Sequence, residues 1–174
     1  MSASMAMAAE LHRVTPGDFK LGMRRLASGV VIVSTRHGGV CHGLVATAVT
    51  SVTADPPTLM VCINRTASSY VSLTASGRFC INVLDESDAE LAARFASPHD
   101  REGRFGTGKW TRLATGSPVL EGSLVSFDCV LAERLEASTH TICFGEVVGI
   151  SMGSGEIRPL LYWDGGFRRL EQRG

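Results

Sequence analysis

Residues 43–64, GLVATAVTSVTADPPTLMVCIN, carry the reading on which the fold turns. Ala46, Thr47, Ala48, Thr50, Ser51 and Thr53 put little bulk beside the backbone and leave amides and hydroxyls free to bond, while Val45, Val49 and Val52 keep the stretch strand-like. Pro56 and Pro57 lack a backbone donor and cannot continue a central strand, so the chain is expected to turn there before TLMVCI begins a second, apolar strand. The pair reads as a hairpin beside a cavity that admits a flat ligand.

Upstream, Thr15-Pro16-Gly17-Asp18 is a capping start for a helix with apolar Phe19, Met23 and Leu26 at helical spacing, stopped at Gly29. GVVIVST (29–35), the 43–54 segment and TLMVCI (58–63) then follow with short polar turns, which argues for antiparallel strands. TASSYVSLTAS (66–76) predicts a short helix, RFCINVL (78–84) a strand, and ESDAELAARFAS (86–97) an amphipathic helix capped at Ser87. The glycine- and charge-rich stretch from Ser97 to Ser117 is a long excursion, a length that in compact domains usually serves function or assembly. LVSFDCVLAERLEA, THTICFGEVVGISM and IRPLLYW close the chain as strands. Six or seven antiparallel strands with three helices predict a small barrel.

With 174 residues and 44% hydrophobic composition, the chain suits one core and a single domain over 15–174, preceded by a flexible tail over 1–14. Seventeen basic and seventeen acidic side chains cancel, so no overall field draws the protein to nucleic acid or an anionic membrane. MSASMAMAAELH has no Lys or Arg and no apolar run approaches a membrane span, so a cytoplasmic protein is expected. The five cysteines form no CxxC pair and read as buried free thiols, with no metal expected.

GRFGTGK (103–109) has the glycine and lysine spacing of a phosphate-cradling loop, but a charged segment precedes it and Trp110 stands where Ser or Thr would hold magnesium. No GxGxxG follows a first strand. Asn64-Arg65-Thr66-Ala67-Ser68-Ser69, after an apolar strand and before a helix, is a better place for a phosphate monoester, although Ser and Thr also favour helix starts for structural reasons alone. His140 stands before an apolar strand, without a second histidine at ligand spacing or a nucleophile context. Asp128 and Glu133 lie in the strand before it with nothing to mark them as an acid/base pair.

The run from Phe19 to Leu170 resembles the short-chain flavin reductases. LASGVVIVST, GLVATAVTSVTADPPTLMVCINR, RFCINVL, LAARFAS, GSPVLEGSLVSFDC, STHTICFGEVVGI and PLLYWDGGFRRL occur in that family's order. Within it the chain is most similar to the reductase component of 4-hydroxyphenylacetate 3-monooxygenase and to related pyrimidine-degradation and corrinoid reductases. The resemblance implies an antiparallel Greek-key, FMN-binding split barrel that forms a homodimer. It implies that FMN or FAD is held, largely through backbone groups, by Val45, Ala46, Thr47, Ala48 and Ser51 and by Cys62, Ile63 and Asn64. Ser68 and Ser69 then lie by the flavin phosphate, and Phe95, Arg104 and Phe105 near the phosphate or adenine end. His140 takes the nicotinamide side as the catalytic residue, with Tyr162 and Phe167 near the same pocket. Val45 and Ala48 stand where the family commonly has Thr and Ser, and Ser138 where it commonly has Gly.

The implied activity is hydride transfer from NADH or NADPH to flavin, which then serves a separate monooxygenase. Two alternatives stay open at this point. One is a reductase that keeps its flavin and reduces another acceptor such as a cobalt corrinoid. The other is a non-catalytic flavin- or haem-binding split barrel. Arg65, Arg101, Arg104 and Lys109 are all candidate partners for the 2′-phosphate that distinguishes NADPH.

Overall fold

The computed structural model describes residues 14–99, 101 and 103–171. The tail expected over 1–14 falls outside them except for Val14, which is exposed. The elements in order are α1 (Pro16–Met23), β1 (Ser28–Gly29), β2 (Val31–His37), β3 (Val40–Ala46), β4 (Val49–Ala54), β5 (Pro57–Asn64), α2 (Tyr70–Ser76), β6 (Arg78–Val83), α3 (Ala89–Ala96), β7 (Trp110–Arg112), β8 (Pro118–Leu120), β9 (Val125–Ala137), β10 (His140–Met152), β11 (Leu161–Trp163) and β12 (Gly166–Arg168). Seven strands form one antiparallel sheet in the order β3-β2-β6-β9-β10-β5-β4. Small sheets β1-β11-β12 and β7-β8 flank it. This is the expected split barrel.

The two-residue side-chain period of a strand explains how one sheet serves two cores. On β2, Val31 and Val33 point into the barrel interior with Leu59, Val61, Ile63, Phe79, Ile81, Cys129 and Cys143. Ile32 of the same strand, with Val30, points outward and packs under α3 with Leu84, Leu91, Ala92, Phe95, Leu120 and Leu160. Burying β2 on both faces leaves no polar alternation, hence the continuous apolar run. Gly145, at a register shift of β10, makes room for the interior ring of Phe79, since a β-carbon there would lie 2.5 Å from Phe79 Cζ.

Asn82 on β6 is fully buried and ties the layers together. Its Nδ2 donates to Ile32 O and Ser34 Oγ, both at 3.1 Å, and its Oδ1 accepts from Leu120 N at 2.8 Å and Ser126 Oγ at 2.9 Å.

Several local expectations are corrected. The 43–54 segment is two strands, broken at Thr47-Ala48, and β3 and β4 lie at opposite ends of the sheet. The expected hairpin with TLMVCI is made by β4 and β5 alone. The first helix ends at Met23, well before Gly29, because none of its residues is buried and only three-residue turns follow it. Thr15 is its cap, accepting from Asp18 N at 3.1 Å. Asp85 caps the 3-10 turn that leads into α3: its carboxylate accepts from Ser87 N, and the Asp88 carboxylate accepts from Asp85 N, while α3 itself, with Asp88 at its N-cap position, has no side-chain cap bond. Ser87 lies inside the resulting 3-10 turn, Glu86–Asp88. In IRPLLYW only Leu161–Trp163 is strand. The GRFG part of the glycine-lysine run is a 3-10 turn, with no helix opening after it.

Candidate functional site

A cleft of about 820 Å³ opens where β3 gives way to β4. Its floor is Val45, Ala46, Thr47 and Ala48, where ladder pairing stops after Ala46 and resumes at Val49. One cross-link spans the break, Cys62 N to Ala48 O at 3.0 Å. The small side chains leave the backbone accessible, as their composition implied.

One wall is the end of β5 and the turn after it: Cys62, Asn64, Thr66, Ala67 and Ser68. Asn64 Oδ1 accepts from both Thr66 N and Thr66 Oγ1 at 2.9 Å, which fixes the turn. Ser68 is exposed at the wall. Ser69, expected beside a phosphate, is buried, and its hydroxyl donates to Gly43 O at 2.7 Å. Ile63 is fully buried in the barrel interior, so any part it has at the cleft is through its backbone. Ser51 is exposed on β4 and does not line the cleft.

His140 opens β10 directly opposite Asn64 and faces the cleft. Its Nδ1 is 2.9 Å from Thr139 Oγ1. The preceding turn has Ser138 at φ 53°, the left-handed region where glycine is favoured, at a cost for serine of about 1 kcal/mol. Tyr162 and Phe167, in edge-to-face contact at 5.8 Å, complete this side.

The far wall comes from α3 and the excursion. Phe95 and Arg104 line the cleft, whereas Phe105 stands behind, 5.1 Å from Phe95 and 4.8 Å from Trp110 between ring centroids. Arg104 is buried; it donates to Gly43 O at 3.0 Å and makes a short bond to Ser97 O, so it staples the excursion to β3. Gly43 therefore receives two bonds at its carbonyl, and a β-carbon there would lie 2.7 Å from Phe95 Cε1. Sequence reasoning missed Phe19, Met23, Leu44, Ala96, Ser97 and Pro98 as lining residues. For Phe19 and Met23 the signal was an apolar stripe on a helix with nothing to bury it.

Among the described residues the lining contains arginine and histidine but no carboxylate. That donor set, over an accessible backbone floor, suits a flat ligand carrying phosphate. No group of three or more His, Cys, Asp or Glu is placed to hold a metal among the described residues.

The thiols give a direct test of the cleft. Cys41 and Cys62 are half-buried, whereas Cys80, Cys129 and Cys143 are buried. Burial pushes the Cys129 thiol up to about 12, with nearby Asp128 adding to the effect, and pushes Cys143 up to about 11; Cys80 is raised as well, by burial and then Asp128. Thiolate is the reactive form. Iodoacetamide at pH 8 is therefore expected to label native protein at Cys41 and Cys62 only, and FMN is expected to protect Cys62 alone. Peptide mass spectrometry reads both, and flavin-insensitive labelling of Cys62 would remove the ligand from this cleft.

Fold and site together define a flavin-reductase type of split barrel. The chain belongs to the flavin reductase like domain family, whose sequence profile matches residues 23–171. It is 39% identical over 165 residues to FMN reductase (NADH) RutF of Variovorax paradoxus, covering 94% of this chain and 91% of that one. Its structure superposes on a flavin-reductase-like protein of Haemophilus somnus with a TM-score of 0.87 at 38% identity, covering 90% of this chain and all of the other. A homologue of nitrilotriacetate monooxygenase component B from Mycobacterium thermoresistibile gives 0.83 at 30% identity, over 90% of this chain and 89% of that one.

Proposed function

We propose that the protein is an NADH-dependent FMN reductase that supplies reduced flavin to a separate monooxygenase. The cleft over the Thr47-Ala48 break, lined by arginine and histidine and by no carboxylate among the described residues, carries this reading. The names of its relatives, an NADH-dependent FMN reductase and a monooxygenase component, supply the direction. Flavin, when bound, supplies the acceptor for the nicotinamide hydride. The chain's own residues bind and orient. The backbone at Val45–Ala48 and at the end of β5 holds the ring system, Ser68 and Arg101 lie on the lining for its phosphate, and Phe95 shields it from water. His140, with Thr139 fixing its Nδ1, places the nicotinamide. The protein is proposed to act as a cytoplasmic homodimer, for which exposed Val148, Ile150 and Met152 on β10 offer an apolar strand face.

The test is NADH and NADPH oxidation by purified, dialysed protein with and without FMN, FAD or riboflavin. Turnover that requires added FMN and prefers NADH is expected. A yellow protein that survives dialysis and turns over only with another acceptor would replace the reading by a bound-flavin reductase, and no oxidation at all by a binding protein. For His140→Ala, kcat/KM for NADH is expected to fall about fivefold or more, the scale of one lost hydrogen bond. Unchanged steady-state kinetics would end the role given to His140.

A further inference from the structure

Helix α1 buries none of its residues, yet two of its side chains, Phe19 and Met23, line the cleft. A helix of eight residues is marginal by itself, so its place depends on tertiary contacts. Beside it lies a second cavity of about 460 Å³, and Phe19, Met23, Thr47 and Tyr162 line both spaces. Arg24, the C-cap of α1, fastens the helix to the turn between β11 and β12. Its Nε donates to Asp164 Oδ1 and its Nη2 to Asp164 O, both at 3.1 Å, and Asp164 N donates to Arg24 O at 3.2 Å. Asp164 and Gly165, at φ 48° and 79°, form that two-residue turn, and a β-carbon on Gly165 would lie 3.0 Å from Arg24 Nη2. The guanidinium thus lies against the turn whose flanking strands carry Tyr162 and Phe167.

We infer that Arg24 is a positioning residue for the nicotinamide dinucleotide: its clamp on Asp164 holds Phe19 and Met23 together with Tyr162 at the edge of the cleft, where they form an apolar cover for the nicotinamide. The inference rests on the reading of the cleft as a flavin and nicotinamide site. Phe19 and Met23 are 63% and 48% exposed, so they carry apolar area that an incoming ring can cover. Flavin is given its floor by Val45–Ala48 and the end of β5, so loosening α1 is felt by the second ligand rather than the first. Cover of this kind gains binding energy only if the helix is already in place, since a helix that must be ordered by the ligand costs part of the contact it makes. The clamp is exposed on both sides and α1 belongs to neither core, so its removal leaves the fold standing.

The experiment is calorimetric titration of NAD⁺ into wild type, Arg24→Gln, Arg24→Lys, Phe19→Ala and the double variant Arg24→Gln/Phe19→Ala, all in saturating FMN, beside FMN titrations and thermal melts of the same proteins. The oxidised nucleotide avoids turnover, so this readout is separate from the reductase assay. Phe19→Ala is expected to weaken NAD⁺ about tenfold, the scale of roughly half of a phenylalanine's burial, and Arg24→Gln about fivefold, the scale of one exposed charge-assisted clamp. Arg24→Lys, which keeps the pair with the carboxylate but not the second bond to the carbonyl, should fall between Arg24→Gln and wild type. Because Arg24 acts through the helix, the double variant should bind NAD⁺ no more weakly than Phe19→Ala alone. FMN affinity and melting temperature are expected to stay at wild-type values throughout. Wild-type NAD⁺ affinity in Arg24→Gln, additive losses in the double variant, or equal losses of FMN and NAD⁺ would each overturn the proposal. If NAD⁺ binding behaves as expected but NADH is not oxidised with FMN, the clamp stands and the reductase reading fails; if wild type binds no NAD⁺, both fail.

Discussion

Replacing Ala48 by tryptophan is expected to abolish FMN-dependent NADH oxidation while leaving the protein folded. Ala48 is exposed at the break between β3 and β4 and lies on the cleft floor, so an indole there fills the space above the accessible backbone without entering either core. Flavin affinity is expected to fall about a hundredfold, equivalent to about 2.7 kcal/mol. The melting temperature without ligand should stay within about 2 °C of wild type, as for other surface substitutions. Flavin titration by fluorescence and a thermal melt check the two halves separately. Wild-type affinity in Ala48→Trp would show that the ligand does not lie over the break.

Asn82→Asp should have the largest effect on stability. The change keeps the shape of the side chain but turns the two bonds donated to Ile32 O and Ser34 Oγ into contacts between acceptors, and it places a carboxylate where nothing is exposed to water. Breaking a fully satisfied buried network in this way costs about 3–5 kcal/mol, much of the stability of a domain this size. The sign with pH is fixed. Burial raises the folded-state pKa of the new carboxyl above its unfolded value of about 3.9, so the penalty grows as pH rises above that value and shrinks as the group is protonated on acidification. Urea melts of Asn82→Asp and wild type at pH 5 and pH 8 should therefore show the smaller gap at pH 5. An equal gap at both, or none, would contradict the network.

The sequence showed the chemistry of the floor but not its topology. Small and hydroxyl residues between 46 and 53 are visible directly, but of them only Ala46, Thr47 and Ala48 face the cleft, while Thr50, Ser51 and Thr53 lie along β4 away from it. The break at Thr47-Ala48 was hidden because Val45 and Val49 keep the same strand parity across it, so no periodicity changes where the chain leaves one end of the sheet for the other. Ser69 illustrates the same limit at longer range: its hydroxyl is taken by Gly43, 26 residues earlier, and local sequence carries no sign of that. The cap of the 3-10 turn leading into α3 was ambiguous in a different way, since Asp85 and Ser87 are both good cap formers and only the bond that the Asp88 carboxylate accepts from Asp85 N decides between them. His140 was legible by resemblance, but its bond to Thr139 and the left-handed turn at Ser138 required coordinates.

The seam between β3 and β4 also has a bearing on solubility. Each of these strands is hydrogen-bonded on one side only, to β2 and β5 respectively, so the sheet has two free margins able to template pairing with another chain. Because the chain passes from one margin to the other through Thr47-Ala48, both begin at the cleft floor. A barrel zipped shut along this line would have no such hazard and no place for a ligand. The liability to strand-to-strand aggregation is thus concentrated where the protein is open for binding, and an occupied cleft is its natural cover.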